Sequence, residues 1–139
     1  MNKKDIWAAA GATLVVATVV VLGFLTLGSP GKQRLISADN RRLTDIAQLA
    51  FRVNQRWDTT NHHFPATLDE VSPSAPKDPI TAAPYKYHVI SPNQYELCAT
   101  FAYAIPHDEQ TQFPMWAHPA GPYCFKIDPS QSWQAFYAP

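Results

Sequence analysis

Two cysteines, five histidines and a short acidic loop carry whatever chemistry this chain of 139 residues can do. Cys98 and Cys124 each lie in a short aromatic run that reads as a strand, and the chain has no other cysteine, so the pair suits one disulfide in an oxidising compartment. His107, Asp108, Glu109 and His118 form the best ligand cluster, because a loop could fold them around a divalent ion. Their spacing matches no established ligand pattern, and the expectation is exposed loop residues with no metal. His62 and His63 are adjacent, so no regular element turns both toward one site, and His88 shares a strand with Lys86 and Ile90. No serine occupies a sharp G-x-S-x-G turn, the cysteines are better paired than used as nucleophiles, and there is no Gly-rich phosphate loop. The residues therefore predict no enzyme: no catalytic residue, no cofactor and no small-molecule substrate.

Binding is the chemistry that remains. Phe113, Trp116 and Tyr123 bracket a Pro-rich loop, and Trp133, Phe136 and Tyr137 crowd the C-terminus. Such side chains either cover a small sheet or form an arm that anchors in a partner's groove, since they supply large contact area at low entropy cost. Trp116, Trp133, Phe136 and Tyr137 are the candidate partner-binding residues. Ala8 and Ala12, four apart, add a small-faced helix stripe that permits close helix packing. The 11 basic and 11 acidic side chains cancel, yet the neck from Lys32 to Arg56 is basic and the aromatic-rich part after it is acidic. Nucleic-acid binders interleave aromatics with positive charge, so nucleic acid is an unsuitable partner.

The elements that must position these residues start with an uncharged run from Ile6 to Gly31. As a helix, Ile6 to Leu27 reaches roughly 33 Å and matches a hydrocarbon core of about 30 Å, which predicts a retained transmembrane anchor. Nothing after it resembles a signal-peptidase site. Lys3 and Lys4 oppose Lys32, Arg34, Arg41 and Arg42 across that run, so charge alone does not fix orientation, and the cysteine pair places the head outside the cytoplasm. Ser29-Pro30-Gly31 predicts a hinge. Leu43, Ile46, Ala47, Ala50, Val53 and Trp57 then recur at helical spacing, predicting an amphipathic helix from about Ser37 to Trp57, with Asp45 on its polar side paired with Arg41.

Beyond it, Thr67 and Glu70 read as a capping box on one helical turn. Tyr85 to Ile90, Gln94 to Tyr103 and a run around Tyr123, Phe125 and Ile127 alternate as three strands, with both cysteines on the face away from the aromatics. If the last two strands are antiparallel neighbours, a Cys98–Cys124 bridge closes a loop worth roughly 3 to 4 kcal/mol in the chain-entropy account.

Three stretches carry a family likeness: Asp45-Ile46-Ala47-Gln48-Leu49-Ala50-Phe51, then Phe64-Pro65-Ala66-Thr67-Leu68-Asp69-Glu70-Val71, then Lys77-Asp78-Pro79 through Pro84-Tyr85-Lys86-Tyr87. With Tyr95 to Phe101 and Tyr123-Cys124-Phe125, they resemble the head of type IV pilins and type II secretion pseudopilins over about Asn40 to Ile127. The resemblance implies an α+β head, a helix on a three-stranded antiparallel sheet. The processing site of polymerising pilins, a Gly before Phe-Thr-Leu-x-Glu, has no counterpart in Met1-Asn2-Lys3-Lys4-Asp5-Ile6.

The expected organisation is thus a cytoplasmic N-terminus over 1–5, a transmembrane helix over 6–28, a hinge over 29–36, a pilin-like head over 37–129 and an aromatic tail over 130–139. The expected place is a bacterial inner membrane, single-pass, with the head in the periplasm. The expected role is non-catalytic: an accessory or structural subunit whose partners are the lipid bilayer and other membrane-protein subunits, of a respiratory, photosynthetic or other complex. The alternative is a minor pseudopilin-like component of a secretion or pilus machine.

Overall fold

A computed structural model describes residues 3–27, 29–106 and 114–131. The chain divides into two compact units, Met1–Arg34 and Leu35–Pro139.

The first unit holds helix α1, Lys3–Leu27. Among the described residues no helix is long and apolar enough to cross a membrane. The transmembrane helix expected over 6–28 is corrected on that ground, and with it the single-pass placement in a bacterial inner membrane with a periplasmic head.

Helix α2 spans Pro30–Thr59, so residues 30–36, expected as a hinge, are its first turns. Ser29 starts it: its Oγ accepts from Lys32 N at 3.3 Å and its carbonyl accepts from Gln33 N at 3.2 Å. Proline at the first helical position lacks only an N–H that would be orphaned anyway, so Ser-Pro begins this helix where the sequence reading saw a break. At the far end Asn61 and His62 adopt left-handed φ values of 51° and 65°, and His62 N bonds the Trp57 carbonyl at 3.0 Å, closing the helix.

Three antiparallel strands follow in the order β1-β2-β3: β1 Lys86–Ser91, β2 Gln94–Phe101 and β3 Gly121–Ile127. Tyr95, Leu97, Phe101, Phe125 and Ile127 point to one face and bury against Ile46, Leu49, Ala50 and Val53 of α2. This is the expected amphipathic helix on the expected sheet. The apolar face of β1 tapers: Tyr85 just before it is buried, Tyr87 half-buried and Val89 47 % exposed. Strand β2 stops at Phe101, not Tyr103, because the Asp39 carboxylate accepts the next two amides, Ala102 N at 3.0 Å and Tyr103 N at 2.9 Å. Between α2 and β1 lies a single 3-10 turn, Leu68–Glu70, where Thr67 makes no side-chain cap and the Glu70 carboxylate instead accepts from Ala66 N at 3.1 Å.

Candidate functional site

Two polar layers flank the apolar core of the second unit, one buried under α2 and one on the outer face of the sheet. The buried layer grows from the helical spacing of α2. Asp39, Arg42 and Asp45 fall on its inward side at i, i+3 and i+6, and all three are buried. The Arg42 guanidinium grips Asp78 with two bonds, Nε to Oδ2 at 2.5 Å and Nη2 to Oδ1 at 3.0 Å, and donates from Nη1 to Asp39 Oδ1 at 2.7 Å. Asp78 in turn accepts Ile80 N at 2.9 Å and Thr81 N at 2.8 Å, folding the loop that leads into β1. Each carboxylate therefore neutralises the arginine and terminates a backbone segment, so a single cation ties α2 to the 78–83 loop and to the end of β2.

Electrostatics follow that geometry. The fork from Arg42 and the two amides hold the Asp78 carboxyl far below the usual carboxylate range despite its burial, and the hydrogen bonds from Arg42 to Asp78 and Asp39 push the guanidinium further up. Beside them the Tyr85 hydroxyl donates to Asp45 Oδ2 at 2.9 Å, and burial together with that carboxylate pushes its titration well above the ordinary phenol range. Tyr95 donates to Asn54 Oδ1 at 2.8 Å, and its burial raises it further still. Tyr87, hydroxyl to the Pro65 carbonyl at 3.0 Å, is pushed up to about 12 by burial and then by the charge of Glu70. The hydrogen bonds of the layer tie α2 to the 78–83 loop and to the end of β2, so it braces the fold.

The outer layer is set by strand register. Lys86 opposes Cys98, which opposes Cys124; His88 opposes Glu96, which opposes Lys126. Opposed residues share a face, so Lys86, His88, Glu96, Cys98, Cys124 and Lys126 all stand on the side of the sheet away from α2. Cys98 and Cys124 are joined as a disulfide with Cα atoms 4.0 Å apart, on the face the sequence predicted. An open groove of about 380 Å³ runs beside it, lined among others by Thr81, Lys86, Thr100 and Pro122.

A third feature belongs to the first unit. Trp7, Leu14, Val15, Val16 and Val19 of α1 are between 61 % and 77 % exposed, and Val20, Val21 and Leu22 are about half exposed. Consecutive positions turn about 100° around a helix, so this apolar exposure is spread around α1 and not confined to a stripe.

Comparison with protein-family models, with curated proteins and with solved structures finds no match.

The other sequence candidates fall as follows. Trp116, in the short turn Pro114–Trp116, is 4 % exposed and meets Phe125 edge-on at 5.3 Å, so it covers the sheet and is not open to a partner. His118, expected in an exposed loop, is also buried: its ring stacks on Phe101 at 3.7 Å, Nδ1 bonds the Pro119 carbonyl at 3.0 Å, and its main chain pairs with Ile105. His107, Asp108 and Glu109 lie outside the described residues, as do Trp133, Phe136 and Tyr137 and the side chain of Ala8; Ala12 is exposed on α1. Arg41 does meet Asp45, at 3.9 Å, but Asp45 is buried and its main partner is Tyr85. Sequence reasoning gave Asp39, Arg42 and Asp78 no part in a site, naming Arg42 only as a charge flanking the apolar run and Asp78 only within the family likeness. The sequence holds only charge in phase with the apolar repeat of α2, which does not by itself distinguish a buried position from a wet one.

Proposed function

We propose that the chain is a non-catalytic interaction protein, a structural or accessory subunit of a larger protein assembly. The observation that carries this is the exposure of apolar side chains around α1. A helix apolar on every side is stable in water only when covered, and contiguous patches of this kind mark interaction surfaces. Helices of partner subunits supply the matching chemistry: uncharged, and able to approach closely over Ala10, Gly11 and Ala12. The second unit supports the same role, because the buried polar groups Asp39, Arg42 and Asp78 are spent on one another and on backbone amides and so brace the fold. Affinity purification of the full chain in mild detergent, followed by identification of co-migrating chains, tests the reading. Stoichiometric partners are expected; a chain that runs alone as a monomer overturns it.

A pilin-like component is the second reading, favoured by the element order of two helices followed by a three-stranded antiparallel meander. It requires removal of a leader ahead of the apolar run. The mass of the mature N-terminus decides between the two: an intact Met1, or loss of Met alone, rejects the pilin-like reading and leaves the accessory subunit.

A further inference from the structure

The outer face of the sheet carries a group of ligand atoms that the proposed role does not use. Glu96 and Cys98 are two apart on β2 and so share a face, and Cys124 stands directly opposite Cys98 on β3. The two sulfurs and a Glu96 carboxylate oxygen all lie within 4.8 Å of one another, and all three side chains are partly exposed. We propose that reduction of the Cys98–Cys124 disulfide converts this face into a site for one soft divalent cation of the zinc type, held by the two thiolates and the Glu96 carboxylate.

The step balances with a dithiol as reductant. One dithiol sulfur attacks a protein sulfur and breaks the protein S–S bond, and its second sulfur then displaces the first protein sulfur. The dithiol leaves as its own cyclic disulfide, and Cys98 and Cys124 are left as thiols. The cation binds with release of both thiol protons to solvent. The groove beside the disulfide, lined in part by Lys86, Thr100 and Pro122, gives a small thiol its approach.

Three physical points favour the site. Tetrahedral zinc with sulfur at about 2.3 Å and oxygen at about 2.1 Å needs donor atoms roughly 3.5 to 3.8 Å apart, which modest side-chain rotation provides from the observed spacing. The sulfurs do not depend on their own bond to stay opposed. Seven register pairs from Tyr95↔Ile127 to Phe101↔Gly121 hold β2 against β3, and Leu97, Phe101, Phe125 and Ile127 bury the reverse face. Finally, two thiolates and a carboxylate around a divalent ion leave one negative charge, and Lys86 and Lys126 stand opposite Cys98 and Glu96 in the register to offset it. The fourth tetrahedral position is left to water, the arrangement of an open site.

Cobalt and zinc titrations of the full chain test this. The chain is reduced with a phosphine under nitrogen, its fold is checked by circular dichroism, and Co²⁺ is added, then displaced by Zn²⁺. The reduced chain is expected to take up one cobalt with a sulfur-to-cobalt charge-transfer band and tetrahedral d–d bands, both lost on zinc addition; the oxidised chain is expected to show neither. Glu96→Gln should weaken zinc binding at least tenfold while Asp69→Asn leaves it unchanged, and the Cys98→Ser, Cys124→Ser double variant should abolish the bands. No uptake by the folded, reduced chain overturns the proposal, as does uptake that survives the double serine variant. Unfolding of the chain on reduction overturns it as well, because the strands would then not hold the thiols in place.

Discussion

Replacing Arg42 with methionine removes the one cation at the centre of the buried layer while nearly preserving its aliphatic volume. Arg42, Asp39 and Asp78 are all at least nine-tenths buried, so the variant strands two carboxylates in low dielectric, each still anchored to backbone amides. Breaking a buried pair by removing one partner costs about 3–5 kcal/mol, several times a surface pair. For a unit of roughly a hundred residues, 1 kcal/mol moves the midpoint by about 4 °C or more, so a fall in Tm of about 12–20 °C is expected by calorimetry or circular dichroism. The pH dependence is the sharper test. Because the Asp78 carboxyl titrates lower in the fold than in the unfolded chain, wild type draws stability from it above about pH 4 and loses that stability as pH falls toward the folded value. In Arg42→Met the Asp78 charge has lost its partner, and protonation in acid relieves it. The destabilisation relative to wild type should therefore be largest near neutrality and shrink below about pH 4. A loss under about 1 kcal/mol at neutral pH, or a difference that stays constant from neutral to acid, would refute the assignment of Arg42 as the tie between α2, the 78–83 loop and the end of β2.

The remaining predictions are simpler. Cutting the staple with the Cys98→Ser, Cys124→Ser double variant should cost roughly 3 kcal/mol in urea unfolding while leaving the far-ultraviolet spectrum unchanged, since strand register and core hold the sheet. Tyr95→Phe removes the donor to Asn54 Oδ1 in the core and should cost about 1–2 kcal/mol, measured the same way; an unchanged midpoint would show that this hydrogen bond contributes nothing. Ser29→Ala deletes the side-chain acceptor at the start of α2 and should destabilise that end by about 1 kcal/mol, read as faster amide exchange at Lys32 with the rates of the core strands unaffected.

Period-based reasoning recovered the elements whose burial is simple. The α2 repeat of Leu43, Ile46, Ala50, Val53 and Trp57 and the alternation of Tyr95, Leu97 and Phe101 both came through because each is dominated by apolar side chains with one buried face. The disulfide was legible for a related reason: with two cysteines on the polar sides of two strands, antiparallel pairing leaves one arrangement. What failed was polar chemistry inside the core. Charged residues at Asp39, Arg42 and Asp45 look like the wet side of a helix, and only the Asp78 loop, thirty-six positions from Arg42, makes their burial tolerable. Such long-range satisfaction has no local signature. Ser29-Pro30 was misread for the opposite reason, since proline breaks a helix interior but suits its first turn. The apolar run at the N-terminus invited a transmembrane reading, and among the described residues no helix is long and apolar enough to cross a membrane.

The central claim is that the apolar surface of α1 is covered by helices of other subunits. Its most direct test places a photo-crosslinking residue at Val16, 62 % exposed on α1, in the full chain expressed in its own cells. Irradiation should give discrete protein adducts that are lost when the same residue is placed at exposed Asp69 of the second unit. Irradiation that yields no protein adduct from Val16 would contradict the account.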